Sequence, residues 1–289
     1  MNDLTIVHVS DTHYGGLADL AQLEALESLV PFLRPGAVVV SGDLTQRARH
    51  GEFQAARAFV RKLRAAAPTL VIPGNHDAQW WLSPLGLRGQ RVKYGKYRRY
   101  FGDDLTPTLE LPGAVFASAL TSHGVAIGSL TWNLNDMAVK GHLPRSEVKR
   151  MAAIFARAPA DAVKIAVIHH NVLRGEISQR MGLARWGVAQ RRLLDAGTDL
   201  VLCGHDHQEG AGQLGGAVAV STAGTHTSRT RGGRPSVFNL VRINPQRIQI
   251  EHFRWAEKER EFVRSDVAAF ARRKPAQLVV PSELAAEPR

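Results

Sequence analysis

Short apolar runs recur along the chain, and each stops at a polar side chain able to bind metal. LTIVHVSD ends at Asp11, with His13 two positions on, and AVVVSGD ends at Asp43. TLVIPGNHD ends at Asn75, His76 and Asp77, VKIAVIHH at His169 and His170, and DLVLCGHDH at His205, Asp206 and His207. Runs apolar at successive rather than alternate positions suit strands buried on both faces. The segments between them have helical spacing: positions 20, 23, 26, 29 and 30 are apolar, then 53, 56, 59, 60 and 63. PRSEVKRMAAIFARAP precedes the fourth run and GVAQRRLLDAG the fifth. Strands alternating with helices predict an α/β sandwich. Binding groups in such sheets collect beyond the carboxyl ends of the strands, where all five clusters fall, so the clusters are expected to form one site.

The later runs, GAVAVSTAG (216–224), SVFNLVRI (236–243) and RIQIEHF (247–253), alternate more clearly. They are expected to form a second, more antiparallel layer. WAEKEREFVRSDVAAFARR is apolar at 255, 262, 263, 267 and 270, which fits an amphipathic helix or a hairpin. The last residues, KPAQLVVPSELAAEPR, are expected to wander over the surface. No linker separates a second domain, so 1–253 is read as one domain and 254–289 as a C-terminal extension.

Composition adds a net charge of +11 and a pI near 10.4, which favour an anionic substrate or partner. Nucleotides, nucleic acid and anionic lipid all fit that charge, as does a generally arginine-rich composition. No stretch approaches the ~20 apolar residues of a membrane span. The N-terminal residues read as a first strand rather than a signal peptide. Cys203 is the single cysteine, so no internal disulfide forms, and a cytoplasmic location is expected.

The strand-end groups are carboxylates, imidazoles and one amide oxygen, a donor set for Mn, Fe or Zn rather than a thiolate-bound structural zinc. They exceed what one catalytic ion takes, and two ions ~3.5–4 Å apart with a bridging carboxylate would use them all. Either His169 or His170 could serve.

In their order, DTH, GD, GNHD, HH and GHDH resemble the calcineurin-like metallophosphoesterase superfamily over residues 4 to about 243. The resemblance implies a four-layer α/β/β/α sandwich with mixed sheets and the site at the carboxyl ends of the strands, making 1–253 the catalytic domain. Asp11, His13 and His207 would hold one metal and Asn75, His169 and His205 a second, with Asp43 bridging. His76 would stabilise the transition state or protonate the leaving oxygen, and Asp77 would orient His76. Gln46 stands where purple acid phosphatases carry a tyrosine ligand, and GDLTQR and GNHD do not match the longer arginine-bearing signature and the glutamate after GNH of serine/threonine protein phosphatases. His76 stands where lipid A precursor pyrophosphatases often have arginine. The remaining pattern is similar to bacterial class III cyclic-nucleotide phosphodiesterases, whose relatives include glycerophosphodiesterases. Asn171 replaces the proline that many of these carry after the paired histidines.

The implied activity is metal-dependent hydrolysis of phosphate esters, above all diesters, by a dinuclear Mn or Fe (alternatively Zn) centre with a bridging hydroxide. A nuclease, or a lipid or nucleotide-diphosphate phosphoesterase, is the alternative. A non-catalytic interaction module is more remote, because such relatives lose ligands that this chain keeps. The implied partner is an anionic phosphate ester. Nucleic acid is not favoured, peripheral contact with anionic lipid stays open, and no motif bears on oligomeric state.

In the relatives the first histidine of the pair matches the ligand, which leaves His170 to pack. His8 reads as structural, His226 as a solvated loop histidine, and Asp206 as a loop-shaping residue. GLRGQRVKYGKYRRYF (86–101) interleaves cations with tyrosines. Arg91, Lys93, Arg98 and Arg99 are the candidate substrate contacts there, against a solvated basic face whose tyrosines pack inward. TRGGRPS (230–236) is a second basic turn, and substrate choice is expected to lie in 78–110 and 172–190.

Overall fold

Both faces of the first strands are buried, as continuous apolar runs require. The computed structural model describes residues 3–79, 92–123, 140–228 and 230–272. β1 (Leu4–Val9), β2 (Ala37–Val40) and β3 (Thr69–Val71) are parallel neighbours, linked by α1 (Leu20–Leu33) and α2 (His50–Ala66). Asp19 caps α1, accepting from the Ala21 and Gln22 amides. After α3 (Gly95–Phe101) come β4 (Thr108–Leu111), β5 (Ala114–Ser118), α4 (Arg145–Arg157), β6 (Val163–His170), α5 (Trp186–Asp195) and β7 (Leu200–Gly204). The chain continues through β8 (Gly210–Leu214), β9 (Val218–Thr222), β10 (Val237–Ile243), β11 (Arg247–Ala256) and β12 (Glu261–Ala271).

The strands form two mixed six-stranded sheets, ordered β12-β11-β10-β1-β2-β3 and β4-β5-β6-β7-β9-β8. Alternate residues of one strand serve different layers. Val7, Val9, Val38 and Val40 pack outward on Leu23 and Leu26 of α1 and Phe53 and Phe59 of α2. Ile6, Val39 and Leu70 point inward against Ile165, Val167, Leu200 and Leu202 of the second sheet. Ala166, Ile168 and Val201 of that sheet meet Met151 and Phe155 of α4 and Leu193 of α5. The result is the α/β/β/α sandwich.

The later strands do not share one layer. β9 runs parallel to β7 in the second sheet, whereas β10 and β11 extend the first, antiparallel from β1. Alternation reports half-burial but not the pairing partner. Nor do residues 261–271 form the alternative amphipathic helix: they are β12, antiparallel to β11, with Trp255↔Phe262 towards one end, Arg247↔Ala271 at the other and a register shift between Glu251 and Phe253. Phe262 packs into the core between the first sheet and its helices and Phe270 against the core between the sheets, while Val263 and Val267 are 46% and 50% exposed. The boundary read at 253/254 falls inside β11, and the final stretch from 273 lies outside the described residues. No helix among the described residues is long and apolar enough to cross a membrane.

Candidate metal centre

The last residues of β6 and the loops after β1, β2, β3 and β7 carry the predicted groups, so strand ends from both sheets meet at one place. Asp11 (φ 53°), His13 (44°), Asp43 (51°), His205 (74°) and His207 (56°) all have left-handed backbones. That region costs a non-glycine residue of the order of 1–3 kcal/mol and persists where surrounding structure enforces it. Here the loops after β1 and β2 are zipped together, with the Asp11 amide donating to the Gly42 carbonyl and His13 to Asp43, each at 3.0 Å. Two motif glycines are required by close approach. A Cβ on Gly74 would overlap the Asp43 side chain and amide nitrogen, and one on Gly204 would overlap Ser10 and the Asp11 carboxylate.

Ligand-type atoms of Asp11, His13, Asp43 and His207 lie within 4.8 Å of one another, as do those of Asp43, His169 and His205, so Asp43 belongs to both groups. The Nε2 atoms of His13 and His207 face each other at 2.9 Å. Asp43 Oδ2 is 3.3 Å from His169 Nε2 and 3.8 Å from His13 Nε2. Asn75 Oδ1 is 3.0 Å from both His169 Nε2 and His205 Nδ1. Each carboxylate has one oxygen tied to backbone and the other turned into the cluster. Asp11 Oδ2 accepts from the His205 amide and Asp43 Oδ1 from the His76 amide, at 2.9 and 2.8 Å. His169 Nδ1 is 2.9 Å from the Ser41 carbonyl, which leaves Nε2 as the lone-pair side of the ring.

Burial by itself would raise the Asp43 pKa, but the imidazoles of His169, His76 and His13 outweigh it and hold the carboxyl well below its usual range. Asp11 is also held low, against burial, through His13 and His207. Burial lowers His169, yet the Asp43 carboxylate lifts it to about 9. Burial, then His169, pushes His205 down to about 3. Two buried carboxylates kept ionised among converging nitrogens form a locus of negative charge that a cation would neutralise. Asp11 Oδ1 is buried without a hydrogen-bond donor, and that orphaned oxygen, with the hard-oxygen and imidazole donor set, fits a transition-metal site.

His76 is half-buried, its ring 4.8 Å from that of His13 and edge-on to it. Its Nδ1 lies 2.9 Å from the Gln46 carbonyl. Asp77 does not reach that ring. Its carboxylate accepts from the Leu44, Thr45 and Gly74 amides and from Thr45 Oγ1, at 2.9–3.1 Å. The orienting contact expected of Asp77 therefore belongs to the Gln46 carbonyl, and Asp77 instead locks the GNHD loop onto the GDLT loop. Sequence reasoning missed Gln46 because a backbone carbonyl leaves no residue-type signal.

His170 lies outside both groups, with Nδ1 2.8 Å from Thr121 Oγ1. His8 is buried between Ser221 and Ser41. His226 is not solvated: it is fully buried, with its ring against Phe262 and neither ring nitrogen hydrogen-bonded. Its loop runs beneath Asp11, where the His226 amide donates to the Asp11 carbonyl.

A cleft of about 510 Å³ opens over Asp43, Asn75, His76, His205 and His207. The cations expected over it from the 86–101 span are not among the described lining residues. Lys93 is 3% exposed and donates to the His123 carbonyl, while Tyr94 and Tyr97 are core. Arg98 and Arg99 sit on α3, whose Tyr97, Tyr100 and Phe101 pack around Phe53 of α2. Arg91 lies outside the described residues. The tyrosines claimed the inward face, so the described cations were directed elsewhere. The cleft is lined instead by Arg174, Arg180 and Arg185 with Trp186, inside the 172–190 segment marked for substrate choice.

The glycerophosphodiester phosphodiesterase GpdQ of Enterobacter lignolyticus (strain SCF1) is 39% identical over 89 residues, 26% of this chain and 30% of that relative. The match thus spans under a third of the relative's length. Purple acid phosphatase PPD1 from yellow lupin superposes with a TM-score of 0.66 at 13% identity, covering 94% of this chain and 54% of that one. A dimetal phosphatase from Danio rerio gives 0.64 at 12%, covering 93% and 98%; both are likenesses of fold. The family model for calcineurin-like phosphoesterases matches residues 4–209, taking in all five strand-end clusters, and the chain belongs to that family.

Proposed function

We propose that this chain is a phosphodiesterase working with two transition-metal ions. The observation that carries the reading is the position of Asp43, whose carboxylate is common to both ligand groups. Asp11, His13 and His207 would complete one site, and Asn75, His169 and His205 the other. Mn or Fe suits the donors best, and Zn fits them too. Two such ions, when bound, supply Lewis acidity toward the phosphoryl oxygens and a hydroxide nucleophile at neutral pH.

The chain's own groups do the rest. The Gln46 carbonyl accepts from His76 Nδ1 and fixes the ring so that Nε2 is available to the reacting phosphate, where the imidazolium form donates a proton or hydrogen bond to the leaving oxygen. The Asp77 stitching keeps His76 over the centre without a contact to the imidazole. None of the five motifs holds an arginine at the reacting phosphate, as a monoester dianion would call for, and the cleft leaves room for a second substituent. The partial likeness to GpdQ favours the same class. The single cysteine is buried, and a reducing compartment, the cytoplasm, is the proposed location.

Metal analysis of the purified protein should find two ions per chain, and chelation should abolish turnover. Asp43→Asn should lower occupancy of both sites together. Bis(p-nitrophenyl) phosphate should be hydrolysed faster than p-nitrophenyl phosphate. One ion with full activity in chelator, or a clear monoester preference, would defeat the reading.

A further inference from the structure

Arg174, Arg180 and Arg185 are exposed, share the cleft with His76 and His207, and form no ion pair among the described residues. The described carboxylates lining the cleft are Asp43, in the ligand cluster, and Asp206, which accepts from Ser178 Oγ at 2.8 Å and from Gln208. Three like charges on one short segment repel one another, and a free loop would splay them into water.

This segment is tied down instead. Asn171 Nδ2 donates to the Leu173 carbonyl at 2.8 Å and the Arg180 carbonyl at 3.2 Å. Gln208 Oε1 accepts from the Ile177 amide at 2.9 Å. Arg234 pairs with Glu176 at 2.8 Å. The Gly141 amide donates to Gly182, and Ala184 returns a bond to Gly141. Gln179 (φ 54°) and Arg185 (φ 50°) are held in the left-handed region, which neither side chain favours. A cationic surface held in place before any ligand arrives binds an anion without first paying for its own ordering.

We propose that Arg174, Arg180 and Arg185 form a second anion subsite, so that the substrate is a phosphodiester whose retained substituent carries a further phosphate. The proposal rests on the phosphodiesterase reading above. Guanidinium groups suit phosphate through paired N–H donors. The cleft, of about 510 Å³, falls in the ~300–1,000 Å³ range of sites that enclose a whole small ligand. A substituent ending in an ammonium group would meet like charge there, and a diester with one phosphate would leave the arginines unfilled. Trp186, 44% exposed beside them, offers a flat face to a base, which makes a nucleotide the natural probe.

The test compares the p-nitrophenyl ester of thymidine 5′-phosphate with the same ester bearing an added 3′-phosphate. Base, diester and leaving group are shared, and only the second phosphate differs. In the metal-loaded protein the added phosphate should raise kcat/KM by ~10-fold or more, mostly through KM. In the triple variant Arg174→Gln/Arg180→Gln/Arg185→Gln that ratio should fall close to one, with metal content reporting that the fold persists. The single Arg180→Gln variant, read by the same ratio, serves if the triple variant loses metal, and an intermediate ratio is expected there. A ratio of one or less in the wild type, while bis(p-nitrophenyl) phosphate is turned over, overturns the subsite and leaves the phosphodiesterase reading standing. So does a ratio that survives the substitutions. Failure to hydrolyse bis(p-nitrophenyl) phosphate at all overturns both.

Discussion

His76 and Asp77 are adjacent in sequence and do different work. Asp77 is fully buried and spends its carboxylate on three backbone amides and a hydroxyl, so its contribution is to the shape of two loops. His76 keeps a ring nitrogen toward the cleft. His76→Ala should therefore keep its metals, measured by elemental analysis, yet lose ~10²–10⁴-fold in kcat on diesters with poor leaving groups. The loss should be smaller with p-nitrophenolate, which needs little protonation. Loss of both ions would place His76 among the ligands. Such residues were legible because a donor type following an apolar run is a local signal. The bond from His76 to the Gln46 carbonyl was not, since every residue type carries that group.

Among the elements, the segment 172–185 depends most on contacts distant in sequence. Asn171 anchors it from the end of β6, and Asp206 and Gln208 grip its middle from beyond β7. Asn171→Ala removes the two bonds to the Leu173 and Arg180 carbonyls, at a cost of about 0.5–1.5 kcal/mol each. Local opening should follow, and trypsin should cleave the native variant after Arg174 and Arg180 faster than the wild type, as followed by mass spectrometry. Equal cleavage rates would mean that Asp206 and Gln208 suffice. The hairpin of β11 and β12 makes a related point. Residues 254–272 carry both a helical and a strand pattern, and the free edge of β10 settled it by offering β11, and through it β12, a ladder of backbone partners.

The two sheets are joined by an apolar seam with a polar chain through it. His8 of β1 is 2.9 Å from Ser221 of β9 and 3.0 Å from Ser41. Asn239 of β10 also donates to Ser221, and its Oδ1 accepts from His252 Nδ1 of β11 at 2.7 Å. Burial pushes the His8 pKa down to about 3, against a weaker upward pull from Asp11. Above the ordinary histidine value of ~6.5 neither folded nor unfolded chain carries that proton, so the stability is complete. Below it only the unfolded chain takes the proton, and stability falls as pH drops from there toward the folded value, by about 1.4 kcal/mol per pH unit. Unfolding free energies from urea denaturation should decline as pH falls from ~6.5 to ~4.5, with a slope that His8→Gln makes shallower by about that amount. Parallel slopes would show that His8 is protonated within the fold.

What the sequence determined by itself is the chemistry and its order: apolar runs long enough to be buried on both faces, each followed by a metal-binding side chain. Burial is written in residue type, and a strand end is the one place where a fixed position and solvent access coincide. Which sheet each strand joins, which ring nitrogen faces the centre, and which arginines overlook it were decided only in three dimensions. Pairing is a contest among distant backbones, and His169 owes its ring orientation to a carbonyl at Ser41. The cations of 86–101 and those of 172–185 look alike as text. Four aromatic side chains drew α3 against α2 and fixed its described cations away from the cleft, while Asn171, Asp206 and Gln208 held the arginines of the later segment over it.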